Sequence, residues 1–169
     1  MKDNINKINY FKTSIIGFNS FHPIVLNNTA FIYNVGKHWV LISNFIPKQQ
    51  YDSSVWYVCD SMYKTRRSVY EKLFKKILPH QDNVIIKFVN VQQQRGYDDC
   101  GLFALAYFIS LFNDEDPSDK LYIQDEMRQH YNNCNTNENI IDFKQRNKKT
   151  ASSRNFSSKI KNTLHLFLK

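Results

Sequence analysis

The chain has 169 residues, of which 42% are hydrophobic and 15% aromatic, which suits one globular domain with a real core and excludes a disordered or fibrous chain. Its formal net charge of +8 is concentrated: residues 135–169 carry eight of the 23 Lys/Arg and two of the 15 Asp/Glu, leaving 15 against 13 in residues 1–134. The expected division is a single domain over residues 1–134 and a basic, partly disordered tail over 135–169.

Residues 1–12 are polar and read as a frayed start. Between Ile15 and Leu26 the pattern is irregular, with turn signals at Gly17 and Pro23; Phe18, Phe21, Val25 and Leu26 are candidate core residues, and His22 has no catalytic surroundings. Thr29–Val35 is β-branched and aromatic and predicts a strand. Gly36-Lys37 is a turn signal, and His38–Phe45 predicts the second strand of a hairpin. Val55–Asp60 predicts a third strand ending at an acid. Ser68 and Glu71 fit a capping box; Val69, Leu73, Phe74 and Ile77 then mark one helical face that Pro79 ends. Val84–Val91 predicts a buried strand, followed by a polar turn over Gln92–Asp99 and a helix, apolar almost all round, over Cys100–Phe112. Asp114–Pro117 separates that helix from another, on which Ile123, Met127, Tyr131 and Cys134 recur at helical spacing. In the tail, Ile160, Leu164, Phe167 and Leu168 allow a short amphipathic helix over 158–168. Strands first and helices later give an α+β class.

The stretch from Val84 to Phe112 carries the chemistry. A cysteine at the start of a buried helix, after a strand and a tight polar loop, is set against backbone N–H groups that favour its thiolate. Two of the four glycines, Gly96 and Gly101, flank this loop. A thiol hydrolase also needs an imidazole, a group to orient it and donors for an oxyanion. If the second and third strands are antiparallel neighbours, His38 and Asp60 fall at the same sheet edge. Gln94, in the loop before Cys100, then offers a side-chain amide to the oxyanion beside the Cys100 backbone N–H. Cys59 alternates with Asp60 and is expected to face the core; Cys134 is expected to pack on its helix. The odd cysteine count, without C-x-x-C or zinc-type spacing, and the absence of an apolar leader in MKDNINKINYFK, suggest a reducing compartment, nucleus or cytoplasm. The longest apolar run, near Leu102–Phe112, is too short for a bilayer, so no membrane role is expected.

His38-Trp39, Asp60-Ser61, and Gln94 followed at the sixth position by Cys100 within Asp99-Cys100-Gly101 resemble the signature of the ubiquitin-like-protein-specific (sentrin-specific, deSUMOylating) cysteine proteases. The run Gln92–Ala104, Asp116-Pro117 and Met127-Arg128-Gln129-His130 look like the divergent, transposon-associated or domesticated branch of that family. The likeness covers about residues 25–134. It implies a papain-like cysteine-protease fold of the type shared with the adenovirus endopeptidase, adenain. In it an antiparallel-rich sheet packs on a central helix starting at Cys100. It further implies His38 as general base and acid, Asp60 as its orienter, Cys100 as nucleophile, Gln94 in the oxyanion hole and Trp39 beside the substrate. No metal or organic cofactor is implied. The family's W-L-x-D-type segment, part of its channel for a diglycine tail, has no counterpart in residues 1–37, which hold no tryptophan.

The implied reaction is cleavage after a small-residue, diglycine-like tail, with SUMO, ubiquitin, a related modifier or its conjugates as partner. A viral or transposon polyprotein-maturation protease resembling adenain is a second reading. Acyl transfer to another acceptor is a third, because bacterial acetyltransferase effectors use a similar His-acid-Cys set. A fourth is a catalytically idle interaction module that holds nucleic acid through residues 144–161. The basic tail itself reads either as solvated chain or as a contact for nucleic acid, an acidic partner or an import receptor.

Overall fold

The computed structural model describes residues 10–11, 29–63, 67–78, 81, 83–136 and 142–145. It is an α+β domain built on one five-stranded mixed sheet. The strands, in spatial as in chain order, are β1 (Tyr10–Phe11), β2 (Thr29–Asn34), β3 (Trp39–Ser43), β4 (Val55–Cys59) and β5 (Ile85–Phe88). The β2–β3–β4 centre is antiparallel, while β1 on β2 and β5 on β4 are parallel. Helices α1 (Arg67–Ile77), α2 (Cys100–Phe112) and α3 (Gln124–Thr136) complete the domain.

The central strands are buried on both faces, which is why they read as nearly continuous apolar runs. Phe31, Val40, Ile42, Trp56 and Val58 face α1, joining Tyr70, Leu73, Phe74 and Ile77. Ala30, Ile32, Leu41, Tyr57 and Cys59 face α2, whose residues Phe103 to Ile109 are all buried. A helix enclosed on all sides cannot be amphipathic, and that accounts for its uniform sequence. The predicted hairpin is present: Gly36 and Lys37 both take positive φ (62° and 70°), the pattern that matches strand twist in two-residue turns. Lys37 N–H donates to Asn34 Oδ1 at 2.9 Å, fixing that turn.

Several expectations change. The fourth long strand is four residues long, not the span Val84–Val91, and lies at the sheet edge with Ile85 49% exposed. A run of apolar letters did not distinguish an edge strand covered on one face from a buried one. Helix α1 already includes Arg67, so Ser68 sits inside its first turn and is not the residue preceding it. Asp116 caps only a three-residue 3-10 turn, Pro117–Asp119, and α3 starts later, at Gln124.

Helix α3 continues past residue 134 to Thr136, and residues 142–145 return to the core. Phe143 is 4% exposed and meets Tyr122 and His130, Tyr122 bridges to Gln145, and Ile123 N–H donates to the Lys144 carbonyl. One phenylalanine in a polar stretch is too weak a pattern to reveal this. Phe18, Phe21, His22, Val25, Leu26, Pro79 and the helix expected over 158–168 lie outside the described residues. Among the described residues no helix is long and apolar enough to cross a membrane.

Candidate active site

The antiparallel register of β3 and β4 pairs Leu41 with Cys59. His38, just before β3, therefore meets Asp60, just after β4. Their side chains are joined by His38 Nε2 to Asp60 Oδ1 at 2.7 Å. A carboxylate can only accept, so Nε2 carries the hydrogen and Nδ1 is the nitrogen left for acid-base work. Nδ1 is buried and has no hydrogen-bond partner of its own. Tyr63 stands edge-on to the imidazole, with centroids 5.5 Å apart.

Asp60 is 3% exposed and held from several directions. Its Oδ1 also accepts from Met62 N–H at 2.8 Å and Tyr63 N–H at 2.9 Å, and its Oδ2 from the Tyr70 hydroxyl. Burial opposes the charge, but His38, Tyr70 and the two backbone donors outweigh it and hold the carboxyl below its ordinary range. Tyr70 was not singled out in the sequence. It shares the helical spacing of Leu73, Phe74 and Ile77, and a tyrosine on a buried face needs a partner for its hydroxyl. That was the signal available.

Cys100 opens α2 and is 6% exposed. Burial pushes its thiol up, but the neighbouring His38 ring and the backbone N–H groups of Trp39 and Gly101 more than compensate and bring it below the ordinary thiol value. Burial also disfavours a charged His38. The bond to Asp60 and the approach of Cys100 prevail, and the ring is lifted to about 9. Both shifts have a common source in the closeness of ring and sulfur. Thiol and ring are in electrostatic contact without a closed hydrogen bond, as is common before substrate binds. Cys59, by contrast, faces the core, and burial pushes its thiol far up into the unreactive range.

The indole of Trp39 lies beside the helix start; a Cβ placed on Gly101 would be 3.5 Å from its Cδ1. The Trp39 ring is partly exposed. Gln94 does not bond to Cys100. Ser61 Oγ donates to its Oε1 at 2.7 Å, and its Nε2 donates to the Gly96 carbonyl at 2.9 Å. Because that carbonyl can only accept, the amide orientation is determined, and Nε2 keeps one further hydrogen.

The other two glutamines of the run act on different neighbours. Gln92 exchanges hydrogen bonds with the Tyr122 backbone, accepting from its N–H and donating to its carbonyl at 3.1 Å. Gln93 donates to the Asp60 carbonyl at 2.9 Å. From α3, Gln124 accepts from Arg95 N–H and donates to both the Arg95 carbonyl and Asp99 Oδ2. Arg128 pairs with Asp99 at 2.7 Å. These contacts tie Asp99, the residue before Cys100, to α3. Gln92, Gln93, Gln124 and Arg128 were not recognisable as supports, since each acts across about thirty positions of chain.

The site therefore contains a polarised thiol, an imidazole able to relay its proton and a fixed carboxylate, which together suit nucleophilic attack on an acyl carbon. Cys134 lies outside it, 3.5 Å from His130 Nε2 on α3. No group of three or more His, Cys, Asp or Glu suited to a metal occurs among the described residues. No protein-family model and no curated protein matches the chain.

Proposed function

We propose that this chain is a cysteine peptidase of the ubiquitin-like-protein-specific type, with the papain-like fold shared with adenain. The observation that carries the reading is the alignment of Asp60, His38 and Cys100: a 2.7 Å bond from carboxylate to Nε2, a free Nδ1, and a thiol lowered at the start of a buried helix. In the reaction Cys100 Sγ attacks the carbonyl carbon of an amide or isopeptide. The remaining Gln94 hydrogen and the Cys100 backbone N–H stabilise the oxyanion. His38 passes its proton to the leaving amine as the C–N bond breaks. Water, deprotonated by His38, then cleaves the thioester and restores the thiolate-imidazolium pair.

A thiol only 6% exposed, beside Trp39, is reached by a slender chain, which favours glycine on the acyl side. That chemistry fits the diglycine tail of SUMO, ubiquitin or a related modifier, and equally a Gly-x-Gly-type polyprotein junction. The test is a panel of diglycine-tailed electrophilic probes on wild type and Cys100→Ala. A covalent adduct confined to Cys100, and absent from the variant, is expected. Labelling that persists in the variant, or that goes to Cys59, overturns the proposal.

A further inference from the structure

A cavity of about 220 Å³ opens on one side of His38, and Cys100 and Trp39 take no part in its wall. Val35 and Lys37 of the hairpin, Tyr63 after Asp60, Val69 of α1 and Tyr97 of the cysteine loop close around it. It is smaller than an ordinary small-molecule site and about the size of one large side chain. Val35, Met62, Val69 and three tyrosines line it with Lys37 and His38; the surface they expose is slightly more polar than apolar, and no acidic side chain contributes. Lys37 stands at the rim on a turn fixed by Asn34, exposed and in no ion pair among the described residues. Tyr97 is 81% exposed, an aromatic ring left open to solvent at the mouth.

We propose that this cavity is the amine-side subsite of the peptidase, taking a large apolar or aromatic side chain from the residue that follows the scissile bond, with Lys37 favouring a carboxylate just beyond it. The inference rests on the peptidase reading above. A general acid must lie within hydrogen-bond reach of the nitrogen it protonates, so the leaving amine belongs on the His38 side. The acyl chain belongs to the Trp39–Gly101 side, where the thiol is. A substrate crossing the site from one to the other enters the cavity as it passes the imidazole. The occupant is thus a chain that continues as an ordinary α-peptide, which marks precursor processing over removal from a lysine side chain.

Nucleophile partition tests this without knowing the natural substrate. A short peptide ending in Gly-Gly as its thiobenzyl ester acylates Cys100: the Sγ–C bond forms and benzyl thiol leaves with a proton. Added amines then compete with water for the acyl group. The amine nitrogen bonds to the carbonyl carbon, the Sγ–C bond breaks, and the amine proton passes through His38 back to the thiolate pair. The ratio of amide to acid product, read by mass spectrometry at equal free-amine concentration, reports binding on the leaving side alone.

Phenylalanine amide should capture the acyl group roughly tenfold better than glycine amide or the ε-amine of Nα-acetyl-lysine amide, the gain expected from burying one large apolar side chain. Val69→Trp should fill the cavity and level these ratios while thioester hydrolysis persists. Phe-Glu amide should outcompete Phe-Lys amide, and Lys37→Glu, on an exposed turn, should reverse that order. Equal capture of all amines by a wild-type enzyme that hydrolyses the thioester overturns the subsite and leaves the peptidase standing. Absence of Cys100-dependent turnover overturns both.

Discussion

Replacing Tyr70 by Phe removes one hydroxyl from behind Asp60 and leaves the ring, which still meets Phe88 edge-on at 5.3 Å. Asp60 is buried, so solvent does not screen the loss, and Oδ2 keeps no other donor among the described residues. A hydrogen bond to a charged acceptor is worth about 1.5–3 kcal/mol. At about 2–4 °C per kcal/mol for a chain of this length, Tm should fall by roughly 3–12 °C at pH 7. The folded carboxyl titrates below its ordinary value. Its stabilising contribution is therefore complete above the unfolded value of about 3.9 and disappears as pH falls through the folded one. Thermal melts of wild type and Tyr70→Phe should differ by a constant amount from about pH 5 to 8 and converge below about pH 4. An unchanged Tm at pH 7, or a difference undiminished at pH 3, would refute the claim that Tyr70 holds the charged form of Asp60.

Three further outcomes are expected. His38 is raised from 6.5 to about 9, so its contribution is complete below about pH 6.5 and lost as pH rises through about 9. Unfolding free energies of wild type and His38→Gln from urea titration should differ by up to roughly 3 kcal/mol in the acidic range and converge above about pH 9; a difference that grows with pH contradicts this. Phe143→Ala should cost about 3–5 kcal/mol in urea unfolding, whereas a loss well under 1 kcal/mol would show that residues 142–145 add nothing to the core. Gln124→Ala frees the Arg95 N–H and loosens Asp99, so it should cost about 1–3 kcal/mol and slow iodoacetamide alkylation of Cys100; unaltered alkylation would show that α3 does not hold the cysteine loop.

The order of strands and helices was legible because their causes are local. The hairpin followed from Gly36-Lys37, and the buried helix from an unbroken apolar run beginning at Cys100. The meeting of His38 with Asp60 followed from one topological step, antiparallel pairing of adjacent strands, and β3 and β4 pair in that way. What was not legible depends on distance along the chain. Ile85 could not be seen as an edge residue, because exposure there depends on the lack of a sixth strand beside it among the described residues. Gln94 was expected to lie open toward the thiol, yet its amide is engaged by Ser61 and Gly96, partners of no distinctive sequence spacing. Phe143 looked like part of a solvated tail because its partners, Tyr122 and His130, precede it across a polar stretch.

The three consecutive glutamines ahead of the cysteine have a consequence for the conditions under which the site keeps its shape. Their side chains tether the loop to Tyr122, to the Asp60 carbonyl, and to Ser61 and Gly96, and every one of those ties is between uncharged groups. The ionic ties on the same loop, Arg95 to Asp125 and Arg128 to Asp99, have arginines largely open to water. Added electrolyte weakens the second kind and leaves the first nearly untouched. The glutamines' share of the tethering is thus electrically neutral, and it holds as firmly in brine as in dilute buffer.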